Sequence, residues 1–159
     1  MKINGVRPDT PNEVIIPIPR GDAPPFVFIA RAVTSWDLFY DQAPVPKAAT
    51  IEKPGKEPQP NFNDPTYKKA VEKRSELWHA FLIVQSLIAT PNLEWETIDL
   101  NVVESYVGYE TELKQAFFSD TEISRIIAGC HEANAMNDDA IEKARADFLA
   151  SRRLPKASE

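Results

Sequence analysis

Imidazoles, thiolates and paired carboxylates are the side chains best able to bind a metal or carry a proton, and this sequence holds few of them. Its histidines are His79 and His131, and its single cysteine is Cys130. A metal site needs several such ligands converging on one point. Cys130 and His131 are neighbours on a helical segment, so their side chains diverge by roughly 100°. His79 falls on the polar side of a different helix, and packing or solvent exposure is the reading for both histidines. Cys130 lies between isoleucines in an apolar stripe, where a thiol acts as a small hydrophobe. Glu94 and Glu96 flank Trp95 and imitate a carboxylate pair. No base or oxyanion donor accompanies them, and acidic residues on a solvated face look the same. The five glycines form no phosphate-cradling loop. Arg20-Gly21-Asp22 spells an adhesion tripeptide but reads as a hairpin turn. The residues point to no enzyme, no metal and no cofactor.

Two charged residues interrupt apolar helix faces. Arg74 falls in the middle of the first long helix's apolar face, and Glu110 in the middle of the second's, so the two are expected to meet as a structural pair. Such a pair adds little net stability but restricts the packing register. The alternative is that each long side chain reaches outward at the body's edge. Asn134, in line with Ile123, Ile127 and Cys130, is expected to hydrogen-bond the turn before the last helix.

The elements that carry these residues divide sharply. Twelve of the fourteen prolines precede residue 66, and the chain beyond reads as amphipathic helix. Residues 13–20 alternate Val14, Ile16 and Ile18 against Ile15, Pro17 and Pro19, the pattern of a strand. Prolines two apart lack N–H groups along one edge, which makes it an edge strand. Residues 26–33 form a second strand, and Arg20 to Pro25 supply the hairpin turn. Both faces of this hairpin are apolar, so it must dock on the helices, on another copy or on a partner. After the aromatic patch Trp36-Asp37-Leu38-Phe39-Tyr40, residues 41–63 carry five prolines and three lysines and read as an extended linker.

Asp64-Pro65 then starts a long helix, with aspartate as N-cap and proline at its first position. Its apolar face runs through Tyr67, Ala70, Val71, Leu77, Trp78, Phe81, Leu82, Val84 and Ile88, and Ile83 and Leu87 make its C-terminal half apolar all round, as in a central helix. Residues 93–98 form a short strand or connector. A second helix over 101–117 places Val103, Tyr106, Val107, Leu113 and Phe117 inward. The capping box Ser119 to Glu122 opens a third helix, striped by Ile123, Ile126, Ile127 and Cys130. Asn137-Asp138-Asp139 caps a fourth, carrying Ile141, Ala144 and Phe148. The fold class is therefore mainly α (α+β). A hairpin head (1–40) and a Pro/Lys-rich linker (41–63) precede a four-helix domain (64–152) and a tail (153–159).

The net charge of −6 and pI near 5.0 repel phosphate backbones, so nucleic acid is a poor partner. The third helix mimics the reading helix of a helix-turn-helix, yet it offers Arg125 against Glu122 and Glu132. The longest apolar run, Ala80 to Val84, is far too short to cross a bilayer, no signal peptide opens the chain, and a lone cysteine fits a reducing compartment. These features read as a soluble intracellular protein without a membrane partner.

Several short motifs occur in a shared order: the proline-bearing aromatic tether, Asp64-Pro65-x-Tyr67, Leu93-Glu94-Trp95-Glu96-Thr97, Phe118-Ser119-x-x-Glu122-Ile123, Ala133-Asn134-Ala135-Met136, and Glu142-x-x-Arg145-x-x-Phe148-Leu149. Over about residues 36–150 the chain resembles the tail assembly chaperones of long-tailed bacteriophages. The resemblance implies a non-catalytic protein of the host cytoplasm that coats the tape measure protein and helps tail tube protein polymerise around it, with self-association open. The N-terminal hairpin departs from the all-helical picture of that group. On this reading Trp36, Phe39, Tyr40, Trp95 and Phe118 are the expected partner contacts, core packing being the alternative for each. Two other readings stand beside it. One is a virion structural component of neck, tail or capsid that joins neighbouring subunits; the other is a small regulator of a host protein.

Overall fold

Pairing of alternating apolar strands comes first in the chain, as β1 (Glu13–Arg20) and β2 (Ala23–Arg31) form an antiparallel hairpin. The structure, a computed structural model, describes residues 5, 10–52, 54–55, 57–135 and 138–153. The tight turn passes through Gly21 at φ +56, a left-handed conformation that glycine adopts without Cβ strain. Alternation sends Ile16, Ile18, Phe28 and Ala30 into the core, and leaves Ile15 and Val27 exposed on the other face. The head therefore docks on its own helices through one of its two apolar faces, β1 against α4 (Asp120–Ala133) and β2 against α2 (Pro65–Leu87). Gly129 of α4 permits the approach, since a Cβ there would overlap the Ile16 side chain.

One hairpin edge is capped by a side chain and the other is interrupted by proline. On β2, the Ile29 N–H donates to the Thr90 hydroxyl at 2.9 Å, and that hydroxyl donates back to the Ile29 carbonyl at 3.1 Å. Ile29 thus turns its polar groups away from β1, and its partner Ile15 does the same on the opposite edge. Pro17, two residues on, faces that edge with no N–H to offer.

The aromatic patch forms a short helix, α1 (Asp37–Gln42), so the boundary expected at residue 40 falls inside an element. Gln42 ties it to the body, donating to the Asn101 carbonyl at 2.7 Å and accepting from the Val103 N–H at 2.9 Å. The linker is more structured than an extended tether. Ala43 is buried, and a two-residue ladder joins β3 (Thr50–Ile51) to β4 (Gln59–Pro60).

Helix starts follow the sequence closely. Asp64 accepts from the Tyr67 N–H ahead of Pro65, and Ser119 and Glu122 complete their capping box around α4. The C-terminal half of α2 is buried from Leu77 to Leu87 apart from partial exposure at Trp78, His79 and Gln85. Its N-terminal half stands clear, and Ile88 just past its end is exposed. Leu93 to Ile98 form an irregular connector rather than a strand.

The second helix departs most from expectation. It opens as a 3-10 helix over Val103–Gly108 and becomes α3 only at Tyr109–Gln115. Three residues per turn place Val103, Tyr106 and Tyr109 on one line, and Glu112, one turn further along α3, continues it; all four are buried. Val107 and Phe117, expected inside on a 3.6-residue wheel, are exposed. The last helix, α5, covers Asp138–Arg153 with two aspartates in its first turn, a favourable match to the helix dipole. The expected cap Asn137, Met136 and the tail beyond residue 153 lie outside the described residues, as do the side chains of Ala144 and Phe148.

Asn134 ends α4 differently from expectation. Its Oδ1 accepts from the Val33 N–H, while Nδ2 donates to the Ser86 hydroxyl and the Cys130 carbonyl, each at 2.8 Å. One amide thereby joins the exit of β2, the buried Ser86 of α2 and the end of its own helix.

Candidate functional site

Trp78 and Phe81, three residues apart on α2, lie on one helix face and gather the aromatic side chains around them. The Phe81 ring meets Trp36 at 5.1 Å, Phe39 at 5.5 Å and Tyr106 at 5.7 Å between centroids. Trp36 stacks on Trp78 at 5.2 Å with planes 14° apart. The expected partner contacts divide accordingly. Phe39 is fully buried (0% exposed) and cannot touch a partner, because the helical turn of α1 aims it at Phe81. Trp36 is half-buried under Trp78, while Tyr40 is 60% exposed. Trp95 packs half-buried against the core from the connector. Phe118 sits edge-on to Phe26 and Phe28 with the Arg20 guanidinium 4.7 Å above its ring. The five are not brought to one surface: Trp36, Phe39 and Tyr40 cluster at α1, Phe118 lies beneath the hairpin, and Trp95 stands on the connector.

Arg74 and Glu110 form no ion pair. Arg74 donates from Nε to the Ala43 carbonyl at 2.9 Å, and its guanidinium lies 5.0 Å from the Phe39 ring centre. Glu110 is exposed and accepts from the Tyr109 hydroxyl at 3.0 Å. The 3-10 turn rotates the second helix, which puts Glu112 on the core line in place of Glu110. Glu112 accepts from the Glu96 N–H, the Thr97 N–H and the Thr97 hydroxyl, and so holds the connector in place. Glu94 and Glu96 are exposed beside it around a cavity of about 160 Å³.

The two histidines meet, which the sequence reading missed. His79 on α2 and His131 on α4 place their Nε2 atoms 3.0 Å apart, with ring centres at 5.2 Å. That centroid separation is near the largest a 3.0 Å contact allows, so the nitrogens aim at each other. One ring donates and the other accepts. Tyr109, Glu110 and Glu76 line the adjoining groove with His79. Burial, then the nearby His131, holds His79 below its ordinary value, with Glu110 acting in the opposite direction. Because the unfolded chain takes up this proton first, the stability that comes from keeping His79 neutral, due first to its burial and second to His131, is complete above pH 6.5 and is lost as pH falls below it. We expect the melting temperature to drop between pH 7 and pH 5, and His131→Gln to flatten that drop. Equal slopes for both proteins would sink the assignment. Glu122, lowered chiefly by the Ser119 N–H bond, acts in a separate window below pH 4.5.

Cys130 is fully buried, and burial pushes its thiol up to about 12, the state of a packing residue rather than a nucleophile. Among the described residues no group of three or more His, Cys, Asp or Glu side chains is placed to hold a metal ion. Among them, too, no helix is long and apolar enough to cross a membrane.

Phe117 is the outlier that sequence reasoning assigned to the core. It is 89% exposed at φ 63. The Phe118 N–H reaches the Leu113 carbonyl at 3.1 Å and the Phe117 N–H reaches the Lys114 carbonyl at 3.0 Å, the two bonds of a Schellman helix end. Phe117 thus occupies the left-handed position that glycine normally fills. Nothing in the local sequence marks that end, because it lacks the glycine that would announce it. Comparison with family models, curated proteins and solved structures finds no match for this chain.

Proposed function

We propose that this chain is a non-catalytic tail assembly chaperone of a long-tailed bacteriophage. In the host cytoplasm it would hold amphipathic segments of the tape measure protein and present them for assembly of the tail tube. The observation that carries this reading is Phe117, a large aromatic kept almost wholly in solvent and in a strained backbone conformation on an acidic body. A bulky residue in the left-handed region costs roughly 1–2 kcal/mol, and strain of this kind gathers at functional positions. Tyr40, Phe62 and Phe26 are further exposed aromatics.

Phe117→Gly is expected to raise stability by about 1 kcal/mol while weakening capture of the partner. Urea unfolding and co-precipitation measure the two effects, and a glycine variant that is both less stable and fully competent would contradict the assignment. The function itself is tested by co-expression with the phage's tape measure protein. The expected result is that the tape measure protein becomes soluble, and no gain in solubility would overturn the reading.

One observation favours the second reading, a virion component. The outer face of the hairpin, with Ile15 69% exposed and Val27 beside it, is left uncovered and is suited to lacing subunits together. A chaperone is absent from purified particles, whereas a structural subunit is present in stoichiometric amounts.

A further inference from the structure

The groove between the start of the linker and α2 has a feature that apolar packing alone does not require. Tyr67, Val71, Arg74 and Trp78 line it along α2, and Val45 and Pro46 form the opposite wall around about 310 Å³. The α2 stripe spans residues 67 to 78, which is three helical turns or about 17 Å. Val71 on it is 41% exposed. Among the described residues Arg74 is the only charged side chain in the lining. It is held in place rather than waving in solvent, since Nε bonds the Ala43 carbonyl and the guanidinium carbon lies 5.0 Å from the Phe39 ring centre.

Among the described residues the ion pairs of the chain involve other side chains, and no carboxylate lies within 4.0 Å of Arg74. Its terminal amino groups carry no hydrogen bond to a described residue, since the Nε bond to Ala43 is the one it makes. In a chain with 24 acidic and 18 basic side chains, carboxylates are the commonest charged groups available, yet none serves this guanidinium. A fixed guanidinium fork fits a carboxylate with two parallel bonds. A straight stripe along three turns fits a helix laid beside it. The apolar walls and the overall negative charge both disfavour a phosphate backbone.

We propose that this groove receives an amphipathic helix of a partner polypeptide bearing an aspartate or glutamate one turn from large apolar side chains. The carboxylate pairs with Arg74, and the apolar side chains cover Tyr67, Val71 and Trp78. The inference deepens the chaperone reading and rests on it only for the identity of the partner chain.

The test uses the full chain and two capped helical peptides of about 15 residues. One carries glutamate with leucines three and four positions away; its twin carries glutamine instead. The chain has three tryptophans, so the indole N–H signal of Trp78 is readily resolved. The glutamate peptide is expected to shift Trp78 and to bind about tenfold more tightly than its twin, and Arg74→Gln is expected to abolish that preference. If Arg74→Gln fails to fold, the two peptides compared on the natural chain decide the matter. Equal binding of both peptides, binding of neither, or a shift of Trp95 in place of Trp78 overturns the proposal. A glutamate peptide that binds while the tape measure protein stays insoluble removes the proposed function and leaves the site standing.

Discussion

Replacing Phe81 with alanine is expected to remove about 4 kcal/mol of stability and to unfold hairpin and helices in a single transition. Phe81 is 1% exposed and touches Trp36 and Phe39 from the head side and Tyr106 from the 3-10 helix. Truncation therefore leaves a cavity at the point where three segments meet, and the surrounding rings can close over it only in part. The size of this loss is comparable with the whole stability of many domains. Tryptophan emission, which reports the stacked Trp36 and Trp78, should coincide with helix loss by circular dichroism. A hairpin that melts apart from the helices would mean that the head is merely tethered, against the burial of Ile16, Ile18, Phe28 and Ala30.

Glu112→Ala is expected to cost about 3 kcal/mol, because it strands three donors at once. The carboxylate is 9% exposed and serves the Glu96 and Thr97 N–H groups and the Thr97 hydroxyl. Removing it should free the connector between α2 and the 3-10 helix, so amide exchange at Glu96 and Thr97 should accelerate beyond the global change. Glu112→Gln keeps one acceptor oxygen and should fall between the two. If alanine costs less than about 0.5 kcal/mol, a level typical of unconnected surface sites, the connector is held by its apolar contacts alone.

Both predictions concern residues whose importance depends on how helices are phased. Glu112 was invisible to a wheel drawn at 3.6 residues per turn, since that wheel put Glu110 inside. The 3-10 start at Val103 advances the face by three, and no residue in Val103–Gly108 announces this winding over an α-helical one. The Arg74–Glu110 pair fails for the same reason. Arg74 instead bonds through Nε to the Ala43 carbonyl at the start of the linker and lies against the Phe39 ring just before it, partners that no spacing on its own helix reveals. Phe39 shows the converse error: an aromatic beside Tyr40 in a short polar-flanked patch looks available, yet α1 turns it into the core.

Local chemistry was legible from the residues alone. Strand alternation, the proline-blocked edge, the Asp64-Pro65 start, the Ser119 capping box and the Ile123–Ile126–Cys130 stripe each arise from neighbours within about four positions, where backbone sterics and short-range hydrogen bonds decide the outcome. The meeting of His79 with His131, the hub at Asn134, the Phe81 aromatic cluster and the exposure of Phe117 join residues tens of positions apart or hang on the phase of one helix turn. Those were decided only by the tertiary structure, because burial and pairing across such distances depend on where whole elements come to rest, and that information is spread over the entire chain.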